Sequence, residues 1–278
     1  MIRQSLVLTL FGVLLATLLS CTPQRSMAVI DEYYAALDPE GTKALSRAVR
    51  ELKIIQGQNL SAEFYRVVQE AEPSLLYVSP LLLSETKALT AEYTGLRIAS
   101  WGTTVPEESE TLTIALFSQE KAAEQAIQLI RGYLDKQFSG QTMLTALLVS
   151  AETDPLVQAA FETVFGVSNA ADPTNQLLLI QQVEGISESQ IAAYKAMDIA
   201  AAVLFAPATD IAVLAEKMFD SSTYVVSVNP FMKSIPEAVD VQLSWDVPAA
   251  IHALQANISK NNGLQVYSDW KITKSDDK

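Results

Sequence analysis

Cysteine and histidine each occur once in this chain, at Cys21 and His252, and glycine only ten times in 278 residues. One cysteine allows no intrachain disulfide, so a domain working in an oxidising compartment must rely on its apolar core. Zinc of the usual composition lacks ligands, and a Ser–His–Asp triad would have to use His252, which lies inside a segment of helical period. Gly-x-Ser-x-Gly, His-Glu-x-x-His, P-loop and Gly-x-Gly-x-x-Gly patterns do not occur. Paired-carboxylate chemistry of the glycosidase kind needs only two Asp or Glu and stays open on sequence grounds. The expectation is a non-enzyme with no metal and no cofactor. Basic residues are also in short supply, 19 against 32 acidic, for a net charge of −13. They are scattered rather than clustered, which argues against a nucleic-acid partner.

Long hydrophobic runs are absent too, except at the start. Met1 to Gln4 carries Arg3, Leu6 to Leu19 is uncharged, and small Ser20 precedes Cys21. A basic n-region, an apolar h-region and a small residue at the end are the layout of a secretory signal. Leu18-Leu19-Ser20-Cys21 resembles the lipobox of bacterial lipoproteins, in which a thioether-linked diacylglycerol is placed on the cysteine and cleavage leaves it as the acylated N-terminus. The resemblance implies a signal over 1–20, lipidation at Cys21, and a mature chain in the cell envelope held to a membrane by acyl chains. A cysteine used in this way leaves no Cys–His nucleophile. Two other readings are an uncleaved anchor, shorter than the roughly 20 residues a bilayer span needs, and a cleaved signal with a chance cysteine.

What remains is rich in core-forming residues. With 49% hydrophobic and 18% charged residues the mature chain is not disordered, and it is long enough for one large domain or two lobes. Short apolar runs predict strands over 27–30, 53–57, 75–79, 96–101, 112–117, 143–150, 176–183, 200–205, 224–228 and 239–245. Helices are predicted over 42–52, 62–70, 85–93, 119–138, 155–165, 188–197, 211–218 and 248–260. The clearest is 119–138, where Ala122, Ala126, Leu129, Ile130, Tyr133 and Leu134 recur at three- and four-residue steps. Ser61, Ser84, Asp154, Ser187, Asp210 and Asp246 are candidate helix caps. Strand and helix in alternation specify an α/β fold with parallel sheets flanked by helices. Its length favours two Rossmann-like lobes, the first over 21–118, the second over 119–278 with a crossover helix and return segments. The tail over 271–278 is expected to fray.

This order of elements resembles the type I periplasmic-binding-protein fold, shared by sugar-binding proteins, nucleoside-binding basic membrane lipoproteins and the effector domains of LacI-like repressors. Leu112 to Ser118, the Ala-rich helix ending in Leu134, Ser139-Gly140, Leu144 to Ser150 and Ala160-Phe161 are similar to the family's crossover from first lobe to second. Ala200 to Ala208, Tyr224 to Pro230, and Val239 to Asp246 with the helix over 249–258 resemble later strands and their loops. The chain departs from the family at Ala122-Ala123, where many members have glycine, at Asn229-Pro230 in place of Gly-x-Asp, and at Asp31 to Tyr34, where nucleoside-binding members carry an asparagine-rich loop.

In open parallel sheets ligands sit beyond the carboxyl ends of strands. The residues in those places are Asp31, Tyr33 and Tyr34, Ser79, Trp101, Phe117 and Ser118, Ser150, Asp154, Pro207, Asn229 and Phe231, and Trp245 with Asp246. Aromatic faces stack on planar ligands, while Ser, Asn and Asp supply oriented hydrogen bonds. The structural reading of the same residues is that the aspartates cap helices, Phe117 is core, and Tyr33-Tyr34 pack under the first helix. The resemblance implies a solute-binding lipoprotein that closes two lobes around a small sugar- or nucleoside-type ligand and presents it to an ABC permease. The alternative is a ligand-free structural or protein-interaction module. A cleft with convergent polar groups and aromatics would mark the first, a cleft filled by the protein's own side chains the second.

Overall fold

The apolar runs become strands because they are covered on both faces by helices. The computed structural model describes residues 25–103, 111–139, 141, 143–166, 177–205, 211–231, 235–258 and 264–275. Cys21 with the signal region, Pro207 and Asp210 lie outside them.

In the first half, β1 (Ser26–Asp31), β2 (Glu51–Ile55), β3 (Leu75–Val78), β4 (Arg97–Gly102) and β5 (Leu112–Phe117) alternate with α1 (Glu32–Leu37), α2 (Pro39–Ala48), α3 (Leu60–Ala71), a 3-10 turn (Pro80–Glu85) and α4 (Thr86–Glu92). In the second, β6 (Leu144–Val149), β7 (Leu177–Gln182), β8 (Ile199–Phe205), β9 (Tyr224–Val228) and β10 (Val241–Trp245) alternate with α6 (Pro155–Phe165), α7 (Glu188–Lys195) and α8 (Ile211–Met218), after the long helix α5 (Gln119–Gln137). Then come α9 (Val247–Asn257), β11 (Gln265–Ser268) and β12 (Trp270–Lys274). The first sheet runs β11-β5-β4-β3-β1-β2 and the second β12-β10-β9-β8-β6-β7. All pairings are parallel except β10 with β12.

The chain therefore crosses between sheets at β5 to α5, at β10 to α9, and at β11 to β12. Side-chain caps mark the first two crossings. Ser118 Oγ accepts the Lys121 N–H at 3.2 Å to start α5, and Asp246 Oδ1 accepts the Ala249 N–H at 3.1 Å to start α9. Ala122, Ala123 and Ala126 are fully buried, and these small side chains let α5 lie close on β8 and β9. Helix α9 packs on α2 and β5 of the first lobe, tied there by Gln255 Nε2 to the Ala48 carbonyl and Arg97 Nη1 to the Ile258 carbonyl. Gly41 permits this approach, since a Cβ there would collide with the Asp38 carboxylate and sit 2.9 Å from Val247 Cγ1.

Several expectations are corrected. The helix predicted over 42–52 ends at Ala48, because Glu51 and Leu52 pair with Met27 and Ala28 as the edge strand β2. The tail does not fray from 271: Lys271 to Lys274 pair antiparallel with β10. Both β11 and β12 were missed. Ser61 and Ser84 do not cap, the first position being taken by Asn59, whose Oδ1 accepts the Ala62 N–H. Asp154 and Ser187 do cap, the latter in a capping box with Gln190.

Candidate functional site

The carboxyl ends of both sheets meet in a cleft, and its two sides are built differently. On the first-lobe side the polar groups bind one another. Asp31 is 1% exposed. Its Oδ1 accepts the Tyr34 N–H at 2.8 Å, capping α1, and its Oδ2 accepts the Ser79 hydroxyl at 2.7 Å. The Tyr34 hydroxyl donates to Asp38 Oδ2 at 2.6 Å. Burial, then the charge of Asp38, pushes the Tyr34 phenol well above its ordinary pKa, so it stays neutral. Trp101 is fully buried against Tyr34, ring centroids 5.4 Å apart.

From there a seam of aromatic rings crosses the cleft. Tyr34 meets Phe231 edge-on at 5.9 Å, and Phe231 meets Trp245 at 5.2 Å. Trp245 stacks on Phe117 at 5.0 Å with 9° between planes, and Phe117 meets Trp270 at 6.2 Å. Tyr34 and Phe117 belong to the first lobe, while Phe231, Trp245 and Trp270 belong to the second. Such pairs contribute about 0.5–1.5 kcal/mol each beyond their buried area, so the seam holds the lobes together. It also leaves Trp245 Nε1 buried with no hydrogen-bond partner among the described residues.

Beside the seam lies a cavity of about 440 Å³. Ser150, Glu152, Thr153, Phe205, Val228, Pro230, Phe231, Trp245 and Trp270 line it from the second lobe and the crossings, with Thr103 after β4 and Gln119 at the start of α5. Its framework is fixed. Trp270 Nε1 donates to the Ser118 carbonyl at 2.9 Å. Thr153 Oγ1 donates to the Phe205 carbonyl at 2.9 Å and accepts the Ser150 N–H at 3.0 Å. Gln119 Oε1 accepts the Asp154 N–H at 2.8 Å.

Of the residues expected at strand ends, Ser150, Phe231 and Trp245 line the cavity together, and Phe117 backs Trp245. Asp31, Ser79 and Trp101 are enclosed on the first-lobe side. Tyr33 is 61% exposed and is not among the lining residues. Ser118, Asp154 and Asp246 cap α5, α6 and α9, and Asn229 Oδ1 accepts the Phe231 N–H at 3.0 Å, shaping the loop that presents that ring. Sequence reasoning missed Thr103, Gln119, Glu152, Thr153, Phe205, Val228, Pro230 and Trp270. Phe205, Val228 and Pro230 end or follow strands that were read correctly, whereas Trp270 depends on β12. Among the described residues no cluster of His, Cys, Asp and Glu is placed to hold a metal.

No family model and no curated protein matches the chain. Solved structures do match. A transcriptional activator of the comK gene from Bacillus halodurans aligns with TM-score 0.61 at 9% identity, over 91% of each chain. A sugar ABC transporter protein from Actinomyces odontolyticus aligns with TM-score 0.58 at 13% identity, over 91% of this chain and 96% of that one. The Caulobacter myo-inositol-binding protein aligns with TM-score 0.57 at 11% identity, over 91% of this chain and 94% of that one. At these identities the likeness establishes the fold: two α/β lobes of the type I periplasmic-binding-protein kind.

Proposed function

We propose that this chain is a membrane-anchored solute-binding lipoprotein that holds a small ligand, of about the size of a monosaccharide or nucleoside, in the cavity between its lobes. The cavity carries the reading: its volume lies in the range of roughly 300–1,000 Å³ used by small-molecule sites. It sits where parallel α/β sheets bind ligands, and it combines aromatic walls with a few polar groups. Structural neighbours described as an ABC transporter solute-binding protein and a sugar ABC transporter support delivery to an ABC permease, and the mix of binding proteins and regulators among the neighbours supports a role without bond chemistry. The Cys21 lipobox supports an anchor on the extracytoplasmic side.

The aromatic seam favours a second reading, a ligand-free interaction module, because it fills the middle of the cleft. Against that stands the cavity beside the seam, about 440 Å³ with Ser150, Glu152 and Thr153 in its lining.

A thermal-shift screen of the full-length protein in detergent against sugars, nucleosides, amino acids and vitamins separates the two. A ligand at 100 times its dissociation constant adds about 2.7 kcal/mol to the native state. Stabilisation by one class supports solute binding; silence across the library, with a cooperative melt, supports the interaction module.

A further inference from the structure

The lining of the cavity says more about its ligand than its size does. A polyhydroxylated ligand needs many polar partners, and two of those in this wall are already committed. The Thr153 hydroxyl serves Phe205 and Ser150, and the Gln119 carbonyl oxygen serves Asp154. What the walls offer instead is aromatic surface and one negative charge. Phe231 and Trp245 stand at 65° to each other and form a corner. The corner is held in shape: Phe117 covers one face of Trp245, and Asn229 fixes the Phe231 backbone. Trp270, pinned by its bond to Ser118, adds a further wall. Glu152 is the charged side chain among the described lining residues, and it makes no ion pair with a described residue. No Lys or Arg among the described lining residues would attract an anion.

Aromatic faces carry negative electrostatic potential and attract a cation within about 6 Å, most strongly where water is excluded; quaternary ammonium groups are recognised in this way. We propose that the ligand is a small organic cation, its ammonium group lodged against Phe231 and Trp245, with Glu152, an exposed carboxylate lining the same cavity, as counter-charge. This rests on the solute-binding reading and narrows it to a ligand class.

The test is a tryptophan-fluorescence titration of the full-length protein with choline and with its neutral isostere, in which carbon replaces the ammonium nitrogen. Glucose, myo-inositol and adenosine are titrated in parallel. Choline is expected to bind about tenfold more tightly than the isostere. Phe231→Leu, which keeps apolar volume and removes the ring, should weaken choline about tenfold, and Glu152→Gln about 2- to 5-fold. Equal binding of choline and isostere would overturn the cation assignment, as would binding of a sugar or nucleoside without choline; either leaves the solute-binding reading in place. No binding by any of these, together with silence in the wider screen, would overturn both. A circular-dichroism melt of Glu152→Gln unchanged within a few degrees, and a melt of Phe231→Leu that stays cooperative although two ring contacts are lost, keep loss of binding distinct from loss of fold.

Discussion

The two sides of the cleft occupy equivalent places in the fold, the carboxyl ends of parallel strands, yet one is closed and the other open. At the ends of β1, β3 and β4 the side chains of Asp31, Ser79 and Trp101 are buried and, in the first two cases, hydrogen-bonded to each other, with Thr103 beyond β4 reaching the cavity. After β6, β8, β9 and β10, Ser150, Phe205, Pro230 and Trp245 face a cavity. Strand-end position thus confers access only where neighbouring side chains do not complete one another first.

The contrast can be broken most forcefully at Trp101. If it is core, Trp101→Ala destabilises by about 3–5 kcal/mol in urea unfolding; a loss below about 1 kcal/mol would place it with the open side instead. Asp31→Ala removes the cap of α1 and orphans the Ser79 hydroxyl, for an expected loss of about 1–3 kcal/mol. A cost near zero would mean that the Asp31–Ser79 pair does not close this side.

Alkaline titration sharpens the same comparison. The Tyr34 phenol is raised in the folded state, so folding holds its proton more tightly than the unfolded chain does. Its stabilising contribution is whole below the unfolded pKa of about 10 and falls as pH rises beyond it. The melting temperature should therefore drop above about pH 10, and Tyr34→Phe should flatten that drop; matching profiles would count against a buried, neutral Tyr34. The smallest effect belongs to the open side: Glu152→Gln should change stability by no more than about 0.5 kcal/mol, read from the same urea curves, while its effect appears in ligand binding.

Legibility followed the same division. Helix α5 was readable from its spacing of Ala122, Ala126, Ile130 and Leu134, and α6 and α8 from apolar period and length. The interior strands were readable because burial on both faces demands continuous apolar runs, as in β8. The edge strand β7 was readable as well, and β2, largely exposed, was read two residues late; β11 and β12 were not readable, because they mix polar and apolar residues over four or five positions, too short for a period to stand out. Missing β12 removed Trp270 from view, and with it a wall of the cavity. Glu152 and Thr153 sit in a turn after β6, where no periodicity marks function.

By itself the sequence determined the α/β class, the two-lobed order and the set of strand ends, because hydrophobic period and capping are local properties of the chain. Only the tertiary structure decided which strand ends reach solvent, since that depends on pairs far apart in sequence. Ser79 reaches back to Asp31, and Trp270 returns from a late edge strand to Ser118. Hydrogen bonds and ring contacts of that kind are satisfied in three dimensions, and they divide one row of equivalent positions into a sealed half and an open one.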